Sequence, residues 1–176
     1  MPHIDETLPF EPVGFSVIIV SDTRDPETDK SGDTLEGRIK GTGHRLAART
    51  IVPDDRAAIR AAVEAGVADP EVDVIITSGG TGFTGRDVTP DTIEPMFDKR
   101  MDGFSAVFHA VSRAVIGTST IQSRCTAGLI GETFVFVLPG SPGACKDAWD
   151  NILVEQFDSR FKPCNFIEIM PRIAEK

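Results

Sequence analysis

VDVIITSGGTGFTGRDVTPD, residues 72–91, runs from a continuous apolar segment straight into a loop that is nearly bare backbone. The apolar part, with the turn that follows it (VDVIITSGG, 72–80), has the character of a strand covered on both faces in a parallel sheet. The loop holds a literal GxGxxG at Gly80, Gly82 and Gly85. A dinucleotide fingerprint would need a helix opening within those glycines and an acidic residue about 20 positions on, at the end of the next strand. Here the helix is delayed to Thr89-Pro90, where Thr89 can cap and Pro90 suits the first helical position. The acid at about that distance, Asp102, lies in KRMDGFS, which reads as a helix end. These features exclude a nicotinamide dehydrogenase, and the absence of GxxxxGK[ST] excludes a P-loop NTPase. What remains is a loop whose backbone amides can approach phosphate oxygens.

Outward from this stretch, FSVIIVSD (15–22) and TFVFVLPG (133–140) repeat the pattern of an apolar run ending in small residues. A further strand is expected near RTIV (49–52) and a hairpin around CTAGLIGETFVFV. Ile59, Ala62, Val63, Gly66 and Val67 fall at helical spacing, as do Cys145, Ala148, Trp149 and Ile152, a stripe that Phe157 continues. Strands alternating with helices predict an α/β three-layer sandwich with a mostly parallel central sheet. In such a sheet the ligand crevice lies outside the carboxyl ends of the strands. Ser21-Asp22-Thr23, Ser78-Gly79-Gly80-Thr81-Gly82 and Pro139-Gly140-Ser141 would therefore meet at one mouth; singly, each is an ordinary strand-to-helix turn.

Asp87 requires a reason, because a carboxylate beside a phosphate-cradling loop repels its ligand unless a divalent cation intervenes or the side chain acts as a base. Asp54 and Asp55, in IVPDD, can reach the same mouth, and two carboxylates with substrate phosphates suit Mg²⁺. The alternative is helix capping, by Asp54 or Asp55 ahead of RAAIRAAV and by Asp87 ahead of the Thr89-Pro90 helix. His3, His44 and His109 have neither ligand spacing nor a triad context and read as surface or core residues. Arg24, Arg86, Arg100, Arg124 and Lys146 are the cations available to offset phosphate charge, Arg124 first among them.

The 176 residues suit one domain, expected over residues 13–170 between a mobile arm (1–12) and a short tail (171–176). A net charge of −9 argues against a nucleic-acid surface, which needs a basic face. No run approaches a membrane span and the N-terminus has no signal-peptide pattern. Three cysteines, Cys125, Cys145 and Cys164, show no CxxC spacing and read as reduced thiols of a cytoplasmic protein.

Six separated motifs resemble the molybdenum cofactor biosynthesis protein B family, within the wider molybdopterin-binding fold shared with the molybdopterin adenylyltransferases. They are VSDTR with SGDTL downstream, ITSGGTGFTGRDVTPD, EPMFDKRMDGFSAVFHAVS, IGTSTIQSRCTAG, VLPGSPGACKDAWDNI and PCNF, spread from about Val17 to Ile167. The resemblance implies a specific reaction, in which the terminal phosphate of molybdopterin attacks the α-phosphate of Mg-ATP to give adenylylated molybdopterin and pyrophosphate. By motif, it implies catalytic and Mg²⁺-directing roles for Asp87 and Asp54. It makes Ser78, Gly79, Gly80, Thr81, Gly82, Pro139, Gly140 and Ser141 nucleotide-facing. It sets Ser21, Asp22, Thr23, Ser123 and Arg124 on the pterin side. It further implies a homo-oligomer, trimeric or hexameric, and other proteins of the same pathway as partners. SRFKPCNF and IGTSTIQSR are closer to the B-type branch, which leaves two readings open: an adenylyltransferase, or a carrier that binds pterin or nucleotide without turning it over. The presence of both Asp54 and Asp87 favours the enzyme.

Overall fold

Alternate side chains of one strand already require two covering layers: Val17 and Ile19 join one apolar cluster, Ile18 and Val20 another on the opposite face. The computed structural model describes residues 1–175 and realises both layers. In chain order the elements begin with β1 (His3–Ile4), β2 (Gly14–Val20), α1 (Lys30–Gly41), β3 (Arg45–Val52), α2 (Arg56–Ala68) and β4 (Val74–Ser78). There follow α3 (Thr89–Ile93), β5 (Lys99–Arg100), α4 (Asp102–Ile116), β6 (Thr126–Ile130), β7 (Thr133–Leu138) and α5 (Pro142–Ala148). The chain closes with α6 (Val154–Gln156), β8 (Phe161–Lys162) and α7 (Phe166–Ile169).

Six strands form the central sheet in the order β3-β2-β4-β7-β6-β5. The first four run parallel, β6 is antiparallel to β7 across the expected hairpin, and β5 is antiparallel to β6. One face is covered by α1, α4 and α5, which contribute Leu35, Ile39, Phe104, Phe108, Cys145 and Ala148. The other is covered by α2 and α3 through Ile59, Val63 and Ile93. The α/β sandwich with its mostly parallel sheet is therefore the observed architecture.

Local chemistry explains the element ends. Asp29 caps α1 by accepting from the Gly32 amide (2.8 Å), and Arg49 on β3 clamps that buried carboxylate at 2.7 Å while also reaching Asp33 and Glu36. Asp55, not Asp54, caps α2 by accepting from the Ala58 amide (2.9 Å). The stripe from Cys145 to Phe157 is buried as expected, but its helix widens into a π-turn over Trp149–Leu153.

Three expectations differ from the structure. KRMDGFS is not a helix end: the Asp98 and Met101 amides donate to Leu129 and Ala127 carbonyls, which draws Lys99–Arg100 into the sheet, and Asp102 opens α4. Asp102 still lies beyond β7 and β6 from β4, so the dinucleotide exclusion stands. Thr89 is the first helical residue of α3 rather than its cap, and Val88 in the cap position offers no side-chain acceptor. The N-terminal segment expected to be a mobile arm lies against the C-terminal region. His3–Ile4 pairs with Phe161–Lys162, the Glu11 amide donates to Ser159 Oγ (2.9 Å), and Arg160 covers the Phe10 ring. Of the expected tail, Lys176 lies outside the described residues.

Candidate functional site

Because β3, β2, β4 and β7 are parallel neighbours, the loops at their carboxyl ends emerge side by side. Gly79 (φ +119°) and Gly80 (φ +63°) carry the β4 loop through conformations that L side chains rarely adopt. Space forbids side chains there as well: a Cβ on Gly79 would fall 2.1 Å from the Val20 carbonyl oxygen. One on Gly80 would fall 2.3 Å from Thr89 Oγ1 and 2.8 Å from Asp54 Oδ1. Bare backbone thus passes between a carboxylate and a hydroxyl. That hydroxyl, Thr89 Oγ1, is buried and has no hydrogen-bond partner among the described residues, although the Thr89 amide donates to Gly80 O (3.0 Å).

Three carboxylates converge on this mouth. The Asp54 amide donates to Asp22 Oδ1 (3.1 Å), and Arg86 reaches across to form an ion pair with Asp22. Burial, then the charges of Asp22 and Asp87, push the Asp54 carboxyl above the usual range, with Arg86 offsetting part of the effect. Asp87 behaves oppositely. Burial would raise it, but the Thr84 hydroxyl (2.6 Å) and amide (2.9 Å), with the Gly82 amide and the Arg124 charge, hold it below the usual range. Asp87 is therefore not a helix cap, since its carboxylate organises the turn from Thr84. The donor chemistry is that of a hard cation, all oxygen and anionic. Among the described residues no group of three or more His, Cys, Asp or Glu is arranged to hold a metal ion by itself. A divalent cation at Asp54 and Asp87 would need further oxygens from a ligand.

The second arm of the site is the segment before β6. Ser123 Oγ lies 3.3 Å from Thr81 Oγ1, and the Arg124 amide donates to Thr81 O (2.9 Å). The Arg124 guanidinium donates from Nε to the Gly82 carbonyl (2.9 Å) and from Nη2 to the Asp87 carbonyl (2.6 Å), its Nη1 reaches both Asp91 oxygens (3.0 and 2.8 Å), and it covers the Phe83 ring at 5.5 Å. Arg124 is thus a clamp on the glycine-rich loop rather than a free cation for phosphate, contrary to its rank among the expected cations. Arg86 is likewise paired, and Arg100 is tied to Asp102 (2.7 Å) on the far edge of the sheet.

Several of the expected site hydroxyls are engaged by the fold itself. Ser78 Oγ donates to Pro139 O (3.1 Å) and lies 3.3 Å from Cys145 Sγ, so it joins the β4 and β7 loops from beneath. Ser141 caps α5 by accepting from the Ala144 amide (3.1 Å), and Ser21 Oγ accepts from the Thr23 and Arg24 amides (both 3.2 Å). These residues shape the rim, while Gly79, Gly80, Thr81, Gly82, Pro139 and Gly140 supply its backbone. Beyond Ser21 and Asp22 a cleft of about 680 Å³ opens over the ends of β2 and β3, walled by Arg24, Arg49, Ile51 and Pro53. That volume suits a small-molecule ligand. Sequence reasoning missed Arg49, Ile51 and Pro53 as walls and Asp91 as the anchor of Arg124. Thr84, three residues before Asp87, carried a legible turn signal that went unread.

The sequence pattern of a family described as a probable molybdopterin binding domain matches residues 16–159. Molybdenum cofactor biosynthesis protein B of Escherichia coli (strain K12) is 43% identical over 157 residues, covering 89% of this chain and 92% of that one. The chain belongs to the molybdenum cofactor biosynthesis protein B family. A solved protein B structure superposes with a TM-score of 0.84 at 36% identity, covering 94% of this chain and 98% of that chain. The tungsten cofactor synthesizing protein MoaB from Pyrococcus furiosus superposes at 0.77 with 33% identity, covering 94% and 99%. Membership of the protein B family carries a role in molybdenum cofactor biosynthesis. No helix among the described residues is long and apolar enough to cross a membrane.

Proposed function

We propose that this protein adenylylates molybdopterin. In the reaction an oxygen of the pterin's terminal phosphate forms a bond to the α-phosphorus of ATP, the bond from that phosphorus to the β-phosphate bridge breaks, and pyrophosphate leaves. The observation that carries this reading is that one glycine-rich loop passes bare backbone at Gly80 between Asp54 and the unpartnered Thr89 hydroxyl and, two residues on at Gly82, against Asp87. An attacking phosphate is already anionic, so the site needs no activated Ser-His pair. Positioning and charge neutralisation do the chemistry. Bound Mg²⁺ would be held by Asp54 and Asp87 with phosphate oxygens and would supply that neutralisation. The amides of the β4 and β7 loops orient the nucleotide phosphates, and the cleft beside Asp22 together with the Ser123–Arg124 arm takes the pterin.

One observation favours a carrier instead. The two arginines that reach the loop, Arg86 and Arg124, are both paired with carboxylates, which leaves the transferring phosphate dependent on the cation. A single experiment separates the readings. The protein is incubated with molybdopterin, Mg²⁺ and ATP, and pyrophosphate and adenylylated pterin are followed by mass spectrometry. Product that disappears in Asp87→Asn supports the enzyme; tight pterin binding without product replaces it with the carrier.

A further inference from the structure

His109 is absorbed by none of this, yet its ring stands in a distinctive place. It projects from α4, with Nδ1 2.9 Å from Thr120 Oγ1 and Nε2 3.6 Å from Cys125 Sγ, while Ser105 Oγ approaches the same sulfur at 3.8 Å. Thr120 and Cys125 are buried, and between them lie only Ile121, Gln122, Ser123 and Arg124. One imidazole therefore tethers both ends of the four-residue arm that touches Thr81, Gly82 and Asp87. A neutral imidazole has one donor and one acceptor, and a hydroxyl and a thiol can each take either role, so both tethers are satisfied together. A histidine that merely filled a core would have no reason to bond residues flanking one functional segment.

We infer that His109 is a positioning residue that holds the Ser123–Arg124 arm against the glycine-rich loop and so sets the affinity of the site for the pterin. This rests on the proposed function for its ligand, though the tether itself does not. Ser123 and Arg124 do the touching; His109 acts through them.

The test uses His109→Ala, with His109→Asn, whose amide reaches the Nδ1 position and can keep the Thr120 tether. Native-state maleimide labelling, with sites located by mass spectrometry, reads the arm. Cys164 is exposed and labels first in every variant, whereas Cys125 and Cys145 are buried and their thiols are raised to about 11 by burial. In His109→Ala the Cys125 rate should rise about tenfold, the scale of one lost tether, with Cys145 unchanged. The pterin KM should rise by a similar factor, and His109→Asn should recover part of both changes. Unchanged Cys125 labelling, or Cys125 and Cys145 rising together, overturns the tether; an unmoved pterin KM overturns its link to the site. If the wild-type protein forms no product, the adenylylation reading fails by itself. The pterin Kd from fluorescence titration then replaces KM, and the same fold-changes decide the inference.

Discussion

At the scale of residues, the site contrasts two carboxyls, Asp54 held high and Asp87 held low, as groups placed for different tasks often are. The depression of Asp87 owes much to Thr84. Thr84→Val removes the hydroxyl donor, so the Asp87 ionisation moves upward. The acid limb of the kcat/KM profile should then shift to higher pH. A pH-rate series checks this, and an unmoved limb would assign it to another group. Arg124 works by geometry as well as charge, with one nitrogen on Asp91 and the other two donating to carbonyls of the loop. Arg124→Lys keeps the charge but cannot donate to Asp91 and to both loop carbonyls at once, so kcat/KM should fall by about ten- to a hundredfold while the far-ultraviolet circular dichroism stays native.

At the scale of elements, the adjacent pair Asp54 and Asp55 separates function from capping. Asp55 accepts from the Ala58 amide and starts α2, whereas Asp54 points at the Gly80 backbone. Asp55→Ala should cost about 1 kcal/mol in urea unfolding and leave turnover intact. Asp54→Asn should do the reverse. Activity falls sharply, while removal of a charge repelled by Asp22 and Asp87 leaves stability equal or higher. Equal activity in both variants would remove Asp54 from the proposed chemistry.

At the scale of the whole molecule, His44 links the N-terminal segment to the core. It packs on Phe10, Phe15 and Trp149, and its Nδ1 accepts from the Val13 amide at 3.2 Å. Burial pushes its pKa down from 6.5 to about 4. Between those values the unfolded chain binds the proton and the folded chain does not. Stability should therefore fall as pH drops from 6.5 toward 4, by at most about 3 kcal/mol, and level off below. His44→Gln should flatten that part of the profile in denaturant titrations. Phe83 and Ile121, each 72% exposed, together with Val115 and Ile116, leave apolar surface around α4 and the site rim. Such surface suits a second copy of the chain, and light scattering at micromolar concentration should return a multiple of the 19.0 kDa chain mass.

The amino-acid sequence by itself determined which runs become strands, which layer architecture they build and which loops converge. Period and punctuation are local signals, and parallel strands must present their ends together. The short strand at Lys99–Arg100 was illegible because its pairing with β6 is formed by distant backbone groups. Folding alone decided how polar side chains are used: Arg124 became a clamp, Ser78 an inner brace and His109 a double tether. Each of those roles depends on a partner far away in the chain or on which neighbour faces the mouth. A side chain's chemistry is written in the sequence, but its hydrogen-bond partner is chosen by the packing that brings the two within about 3 Å.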